Sequence, residues 1–209
     1  MRRRAGLREL ACITIGVCSA FTHALLGLAI VRIGTGAKVP ARLWVAGALL
    51  AAAPDLDALS YSLGLGLSDH PWWSHRGLTH SVPFAAAAAA IVTVLLFPWW
   101  RREEQAIPWW RVWLILTVAM AFHGLTDLLT NGGAGIALFS PVDPYRYRWR
   151  FTPVEVSPLS IRLFFSEWGL RVIWSELRWV IAPAAAVVAV VQGIRWWIAA
   201  RTRGQSSPT

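Results

Sequence analysis

Five stretches of the chain, residues 10–31, 43–65, 82–98, 110–130 and 179–200, are apolar over the roughly 20 residues that a helix needs to cross a bilayer, or nearly so. Such stretches narrow the choice of fold sharply. The bilayer core offers no water to the backbone, so a crossing segment must satisfy its own N–H and C=O groups, as a helix does. Composition agrees, with 56% hydrophobic residues and 14 tryptophans among 209 and a mean hydropathy of +0.49. The expected fold is an all-α, polytopic membrane helical bundle of about five membrane helices. It forms one domain over residues 1–200, with a disordered Ser-, Gly- and Pro-rich tail at 201–209.

Tryptophan pairs mark the ends of these stretches at Trp72-Trp73, Trp99-Trp100, Trp109-Trp110 and Trp196-Trp197, where an indole suits the headgroup layer. The net charge of +9 comes from arginines that flank apolar segments. That placement predicts membrane lipids as partners and argues against nucleic acid. Met1-Arg2-Arg3-Arg4 looks like the start of a signal peptide, but no small-residue cleavage site follows and Phe21, Thr22 and His23 interrupt the expected place. The first segment is therefore expected to stay as an anchor. Cys12 and Cys18 lie on one apolar segment and fit neither a disulfide nor a zinc set. Basic residues divide too evenly between the two sides to fix orientation.

Ionisable residues within these stretches require a reason, since a charge near the bilayer centre costs about 2.5–3.5 kcal/mol even on the lenient scale. His23 lies in the first stretch, Asp55 and Asp57 in the second, and His123 and Asp127 in the fourth. The loop "HPWWSHRGLTHS" adds His70, His75 and His80. His123 and Asp127, four apart, share one helix face. Pro54 disturbs the helix at Asp55 and Asp57, and alternate residues converge in the turn that results. In any alternating topology the loop and the ends of the second and fourth stretches fall on one side, with His23, like Asp55, deeper. The predicted metal ligands are His23, Asp55, Asp57, His75, His80, His123 and Asp127. They exceed one tetrahedral zinc, so two divalent ions bridged by a carboxylate are expected, zinc first, with manganese or iron compatible.

Each residue also has a plainer reading. His23 alone is a hydrogen-bonded core histidine, Asp55 and Asp57 a capping turn, His123 with Asp127 a helix-joining pair, and His70 before Pro71 a turn residue.

The pattern of His23, Pro54-Asp55-Leu56-Asp57, His75-Arg76-Gly77-Leu78-Thr79-His80-Ser81, and His123 with Asp127 resembles the bacterial and archaeal inner-membrane metal-dependent hydrolases described as LexA-binding or LexA-regulated. The stretch from Tyr147 to Pro183 looks like that family's C-terminal half. That family is distantly similar to zinc-dependent phospholipase C and the S1/P1 nucleases, whose clustered zinc ions cleave phosphoesters. The resemblance implies a metal-dependent hydrolase of the cytoplasmic (inner) membrane.

The expected reaction is hydrolysis of a phosphoester, on a lipid-linked substrate, by metal-activated water. His23 is a ligand or the proton acceptor. Arg76 is expected to hold a phosphate oxygen, or else to snorkel to headgroups. Thr79 and Ser81 are supporting or capping groups. "YRYRWRF", residues 145–151, alternates rings and guanidinium groups on an extended chain, which suits either phosphate collection by Arg146, Arg148 and Arg150 or a headgroup anchor. Residues 160–178, with Leu163, Phe164, Leu170, Ile173, Trp174 and Leu177, predict an interfacial amphipathic helix. The rivals are a metal-ion or proton transporter and a non-catalytic metal-binding scaffold.

Overall fold

A computed structural model describes residues 17–36, 39–58, 72–97, 107–158 and 161–205. Its helices are α1 (Val17–Thr35), α2 (Ala41–Ala52), α3 (Val82–Leu96), α4 (Trp109–Asp127), α5 (Ile161–Phe164), α6 (Glu167–Glu176) and α7 (Ala182–Gln205). Short 3₁₀ turns at Ala53–Ala58 and Leu78–His80 follow α2 and precede α3, and a π-helical segment, Leu177–Ile181, joins α6 to α7. The described residues are helical and irregular, with two isolated bridges, Thr130 to Val154 and Ile136 to Tyr147, and no strand.

The helix ends follow local chemistry. Pro40 and Pro108 stand just before α2 and α4, and Ser81 caps α3 by accepting from the Phe84 N–H at 3.2 Å. Gly36, with φ of +64°, closes α1. Arg195 of α7 donates to the carbonyls of Arg32 and Ile33 at the same end. Pro54 sits where α2 tightens into a 3₁₀ turn, and Pro183 follows the π segment, whose wider register accommodates the donor that proline lacks.

α4 is the centre of the bundle, packed on α1, α2 and α3. Val31, Leu43, Leu50, Ala85, Ala89, Val112 and Leu116 form one core there. Close approach of α1 and α2 depends on Gly27, where a Cβ would collide with the Gly47 carbonyl.

Many large apolar side chains face outwards, among them Leu49, Ile91, Leu95, Val190 and Trp196. One helix among the described residues is long and apolar enough to cross a membrane, Glu167–Arg203, with a mean hydropathy of 1.8. The apolar helices Ala20–Thr35 and Val82–Leu96 are shorter, and α4 carries Arg111, His123 and Asp127 along its 19 residues. Five membrane helices are thus not what the described segments establish, partly because residues 10–16 and 59–65 lie outside them.

Two local expectations are corrected. The tail expected to be disordered from Arg201 is helical as far as Gln205, because α7 simply continues. The 160–178 segment is two helices, not one. Its longer part buries Gly169, Val172, Ser175 and Glu176 while exposing Leu170, Ile173 and Trp174. Glu176 accepts the Thr22 hydroxyl at 2.7 Å, so its acid faces protein and its apolar face is left outside.

Candidate metal centre

The site lies at one end of the bundle. His23 comes from α1, Asp55 and Asp57 from the turn that ends α2, His75, Arg76 and His80 from the segment that leads into α3, and His123 and Asp127 from the last turns of α4. All seven predicted ligands meet there. His23 meets Asp55 and His123 in one group, with its Nε2 3.3 Å from Asp127 Oδ1 and its ring stacked on His123 at 3.7 Å. His70 lies outside the described residues.

They do not form a single set. Asp55 turns to His123, with Oδ1 3.4 Å from Nε2. Asp57, two residues on, turns the other way to His75 Nδ1 at 2.5 Å and His80 Nδ1 at 3.2 Å. Three overlapping groups result: His23, Asp55 and His123; His80, His123 and Asp127; Asp57, His75 and His80.

Hydrogen bonding decides which nitrogens face the interior. His123 Nδ1 lies 2.7 Å from the Ala51 carbonyl, an acceptor only, so it carries the proton and leaves a lone pair on Nε2. His80 Nδ1 faces Asp57 Oδ2, and its other neighbour, the Thr79 hydroxyl, already donates to Asp57 at 2.7 Å. His80 Nε2 is therefore also a lone pair. The Thr126 hydroxyl lies 3.3 Å from His23 Nδ1 and 2.9 Å from the carbonyls of Phe122 and His123, while His23 Nε2 faces Asp127 Oδ1 at 3.3 Å.

Three imidazole Nε2 atoms thus converge with two carboxylates. The Nε2 atoms of His80 and His123 are 3.1 Å apart, and Asp127 Oδ2 is 3.7 Å from the first and 4.0 Å from the second. Asp55 Oδ2 is buried with no hydrogen-bond partner. Ligands at about 2.0–2.2 Å around a tetrahedral ion stand about 3.3–3.6 Å from one another, and these separations bracket that value. One proton satisfies one such contact, whereas a divalent cation satisfies all of them. The donor set fits a metal.

His80 and His123 are each 1% exposed, so both imidazoles are shut away from bulk solvent. Burial pushes the His80 imidazole below its ordinary pKa, against the pull of Asp57, so it stays neutral, as a ligand must.

Asp57 acts mainly on the 75–80 turn. It accepts from the Arg76 N–H at 3.2 Å and the Thr79 hydroxyl, besides the two imidazoles. At Gly77 a Cβ would strike the Trp72 and Ser74 carbonyls, so glycine is required there. Arg76 adopts φ of +63°, a left-handed conformation that strains a residue with a Cβ.

The expectation that Arg76 offers its guanidinium to phosphate needs correction, because the side chain is engaged inside the protein. Nη1 donates to the Gly132 carbonyl at 2.6 Å, Nη2 to Thr130 Oγ1 at 2.9 Å, and Nε lies 3.3 Å from Asp127 Oδ2. Nor does it snorkel. "YRYRWRF" divides in the same way: Arg146 donates to Ser74 Oγ and to the carbonyls of His75 and Gly135, tying two loops together. The supporting groups Ala51 C=O, Thr126 and Thr130 left no distinctive trace in the sequence, save that Thr126 stands three residues after His123.

Residues 19–200, which include every residue of this centre, match the model of the YdjM inner membrane protein family. The chain belongs to that family. Inner membrane protein YbcI of Escherichia coli (strain K12) is 34% identical over 180 residues, 86% of this chain and 97% of that protein. No solved structure matches. Membership of the YdjM family places the chain in the inner membrane, which accounts for its outward-facing apolar side chains. The resemblance seen in the sequence holds at that level, while likeness to phospholipase C or the S1/P1 nucleases finds no support in these comparisons.

Proposed function

We propose that this chain is a multi-pass inner membrane protein that holds a divalent metal and hydrolyses a phosphoester of a lipid-linked substrate. The observation that carries the metal is the meeting of the Nε2 atoms of His23, His80 and His123 with the carboxylates of Asp55 and Asp127 in one buried space. His80, His123, Asp55 and Asp127 hold the ion, zinc before manganese or iron, and His23 either completes the shell or accepts a proton beside Asp127. Asp57, His75 and His80 are the group a second ion would take, but Asp57 already accepts from the Arg76 N–H and the Thr79 hydroxyl, so one ion is the better reading. Asp57 and His75 then orient His80 through its Nδ1, as carboxylates beside metal-bound histidines do.

When bound, the ion supplies Lewis-acid activation of water and of a phosphoryl oxygen. The chain's own contribution is a dry, fixed set of donors at one end of the bundle, with Asp127 lining a cleft to the surface. The test is turnover of phosphatidic acid, a polyprenyl phosphate and a simple phosphodiester by protein in nanodiscs. Product release that chelator abolishes and zinc restores supports the hydrolase. Metal retained with no turnover on any substrate favours the scaffold, and metal flux into proteoliposomes favours the transporter.

Five crossings, as the apolar stretches predict, put the two termini on opposite sides of the membrane. Reporter fusions at each end are expected to report opposite compartments. The same compartment at both ends would remove one crossing, first of all α3, whose 15 residues span only about 22 Å.

A further inference from the structure

A narrow cleft opens beside the centre, its buried end made by Asp127 and Arg76 and its exposed end by Arg148 and Trp149. We infer that Arg148, at the mouth of this cleft, binds a phosphate group beside the centre. The inference rests on the proposed phosphoester chemistry of the same site.

The three arginines of residues 145–151 are sorted by the fold. Arg146 is tied to Ser74, His75 and Gly135, and Arg150 is exposed and does not line the cleft. Arg148 lines it and has no hydrogen bond or ion pair to a described residue. Arg76, the other cation there, already faces Asp127, Thr130 and Gly132. An incoming anion therefore meets Arg148 as its available guanidinium, whose planar fork matches two phosphate oxygens. The half-buried Thr152 lines the same cleft and offers a hydroxyl.

Gly135 holds this arrangement open. Its φ is +90°, and a Cβ there would come within 2.9 Å of Arg148 Cγ and 2.8 Å of the Tyr147 carbonyl. Tyr145, Trp149 and Phe151 are 63%, 60% and 58% exposed beside the cleft, amphipathic or apolar rings of the kind that lie at headgroup level. The ligand is a phosphate ester or free phosphate, and the rings favour a lipid as its source.

The test uses the full chain in phosphatidylcholine nanodiscs, titrated with inorganic phosphate by calorimetry. Arg148→Ala is expected to weaken phosphate binding on the order of 10- to 100-fold, Arg148→Lys to recover part of it, and Arg150→Ala to stay close to wild type. Phosphatidic acid added to the nanodiscs competes if the source is lipid and leaves the titration unchanged if it is soluble. Equal affinity in wild type and Arg148→Ala, an equal loss in Arg150→Ala, or no binding by wild type overturns the inference. Metal content measured on the same samples separates the two failures: wild-type protein that retains metal but binds no phosphate condemns the anion site, and wild-type protein without metal condemns the centre itself.

Discussion

His80→Ala and His123→Ala are each expected to reduce the metal content of protein purified without chelator from stoichiometric to background, measured by inductively coupled plasma mass spectrometry. Each histidine directs Nε2 at the same interior space and fixes it there with a protonated Nδ1. Removing one strips a ligand and leaves a cavity that alanine does not fill. Asp57→Asn is expected to act more mildly, with affinity lower by about 10- to 100-fold, because its carboxylate orients His80 rather than facing the ion. Thermal melting separates lost binding from lost folding. Zinc at 100 times its Kd stabilises a binding-competent chain by about 2.7 kcal/mol, so wild type gains in Tm and the two alanine variants gain nothing. Wild-type protein that is metal-free as isolated and does not respond to zinc would refute the centre.

Arg76→Ala is expected to destabilise the protein by about 3–5 kcal/mol, the usual consequence of breaking a buried ion pair from one side. The guanidinium, 8% exposed, holds Asp127 and two groups of the 130–132 loop. Its loss leaves a buried carboxylate and a buried carbonyl short of a donor. Lysine keeps the charge but cannot span three acceptors, so Arg76→Lys is expected to recover little. Arg76→Gly gives the sharper result. At φ of +63° a Cβ costs about 1–2 kcal/mol that glycine avoids, so glycine should be more stable than alanine, the reverse of the order in an ordinary helix. Denaturation followed by circular dichroism in detergent measures the order. An Arg76→Ala variant as stable as wild type would mean that the guanidinium is free, and Arg76 would return as a phosphate ligand.

The contrast between these two predictions shows what the sequence could and could not disclose. His75, His80, His123, Asp55, Asp57 and Asp127 were legible as a group because each is an ionisable residue in or beside an apolar stretch, and because alternating helices bring their segments to one end. Arg76 was placed correctly beside them and given the wrong task. Its partners Thr130 and Gly132 are 54 and 56 residues away, in a loop whose shape nothing local announces. Asp57 was grouped with the ligands since it stands two residues from Asp55, yet the 3₁₀ turn points the two carboxylates apart. His23, read from the sequence as lying at the level of Asp55, is brought into one group with Asp55 and His123 by the way α1 lies against α4.

The sequence by itself determined that this chain is helical and belongs with a membrane, since blocks of apolar residues about 20 long satisfy their backbones only within themselves. It also determined that these blocks carry histidine and aspartate at a cost that needs repayment. The tertiary structure decided which atom of each residue faces the centre. That choice depends on hydrogen-bond partners remote in sequence, the Ala51 carbonyl for His123, Asp57 for His80 and the Thr126 hydroxyl for His23. An imidazole has two nitrogens and no sequence pattern distinguishes them. Only the packing of α1, α2, α3 and α4 brings three imidazole Nε2 atoms and two carboxylates together.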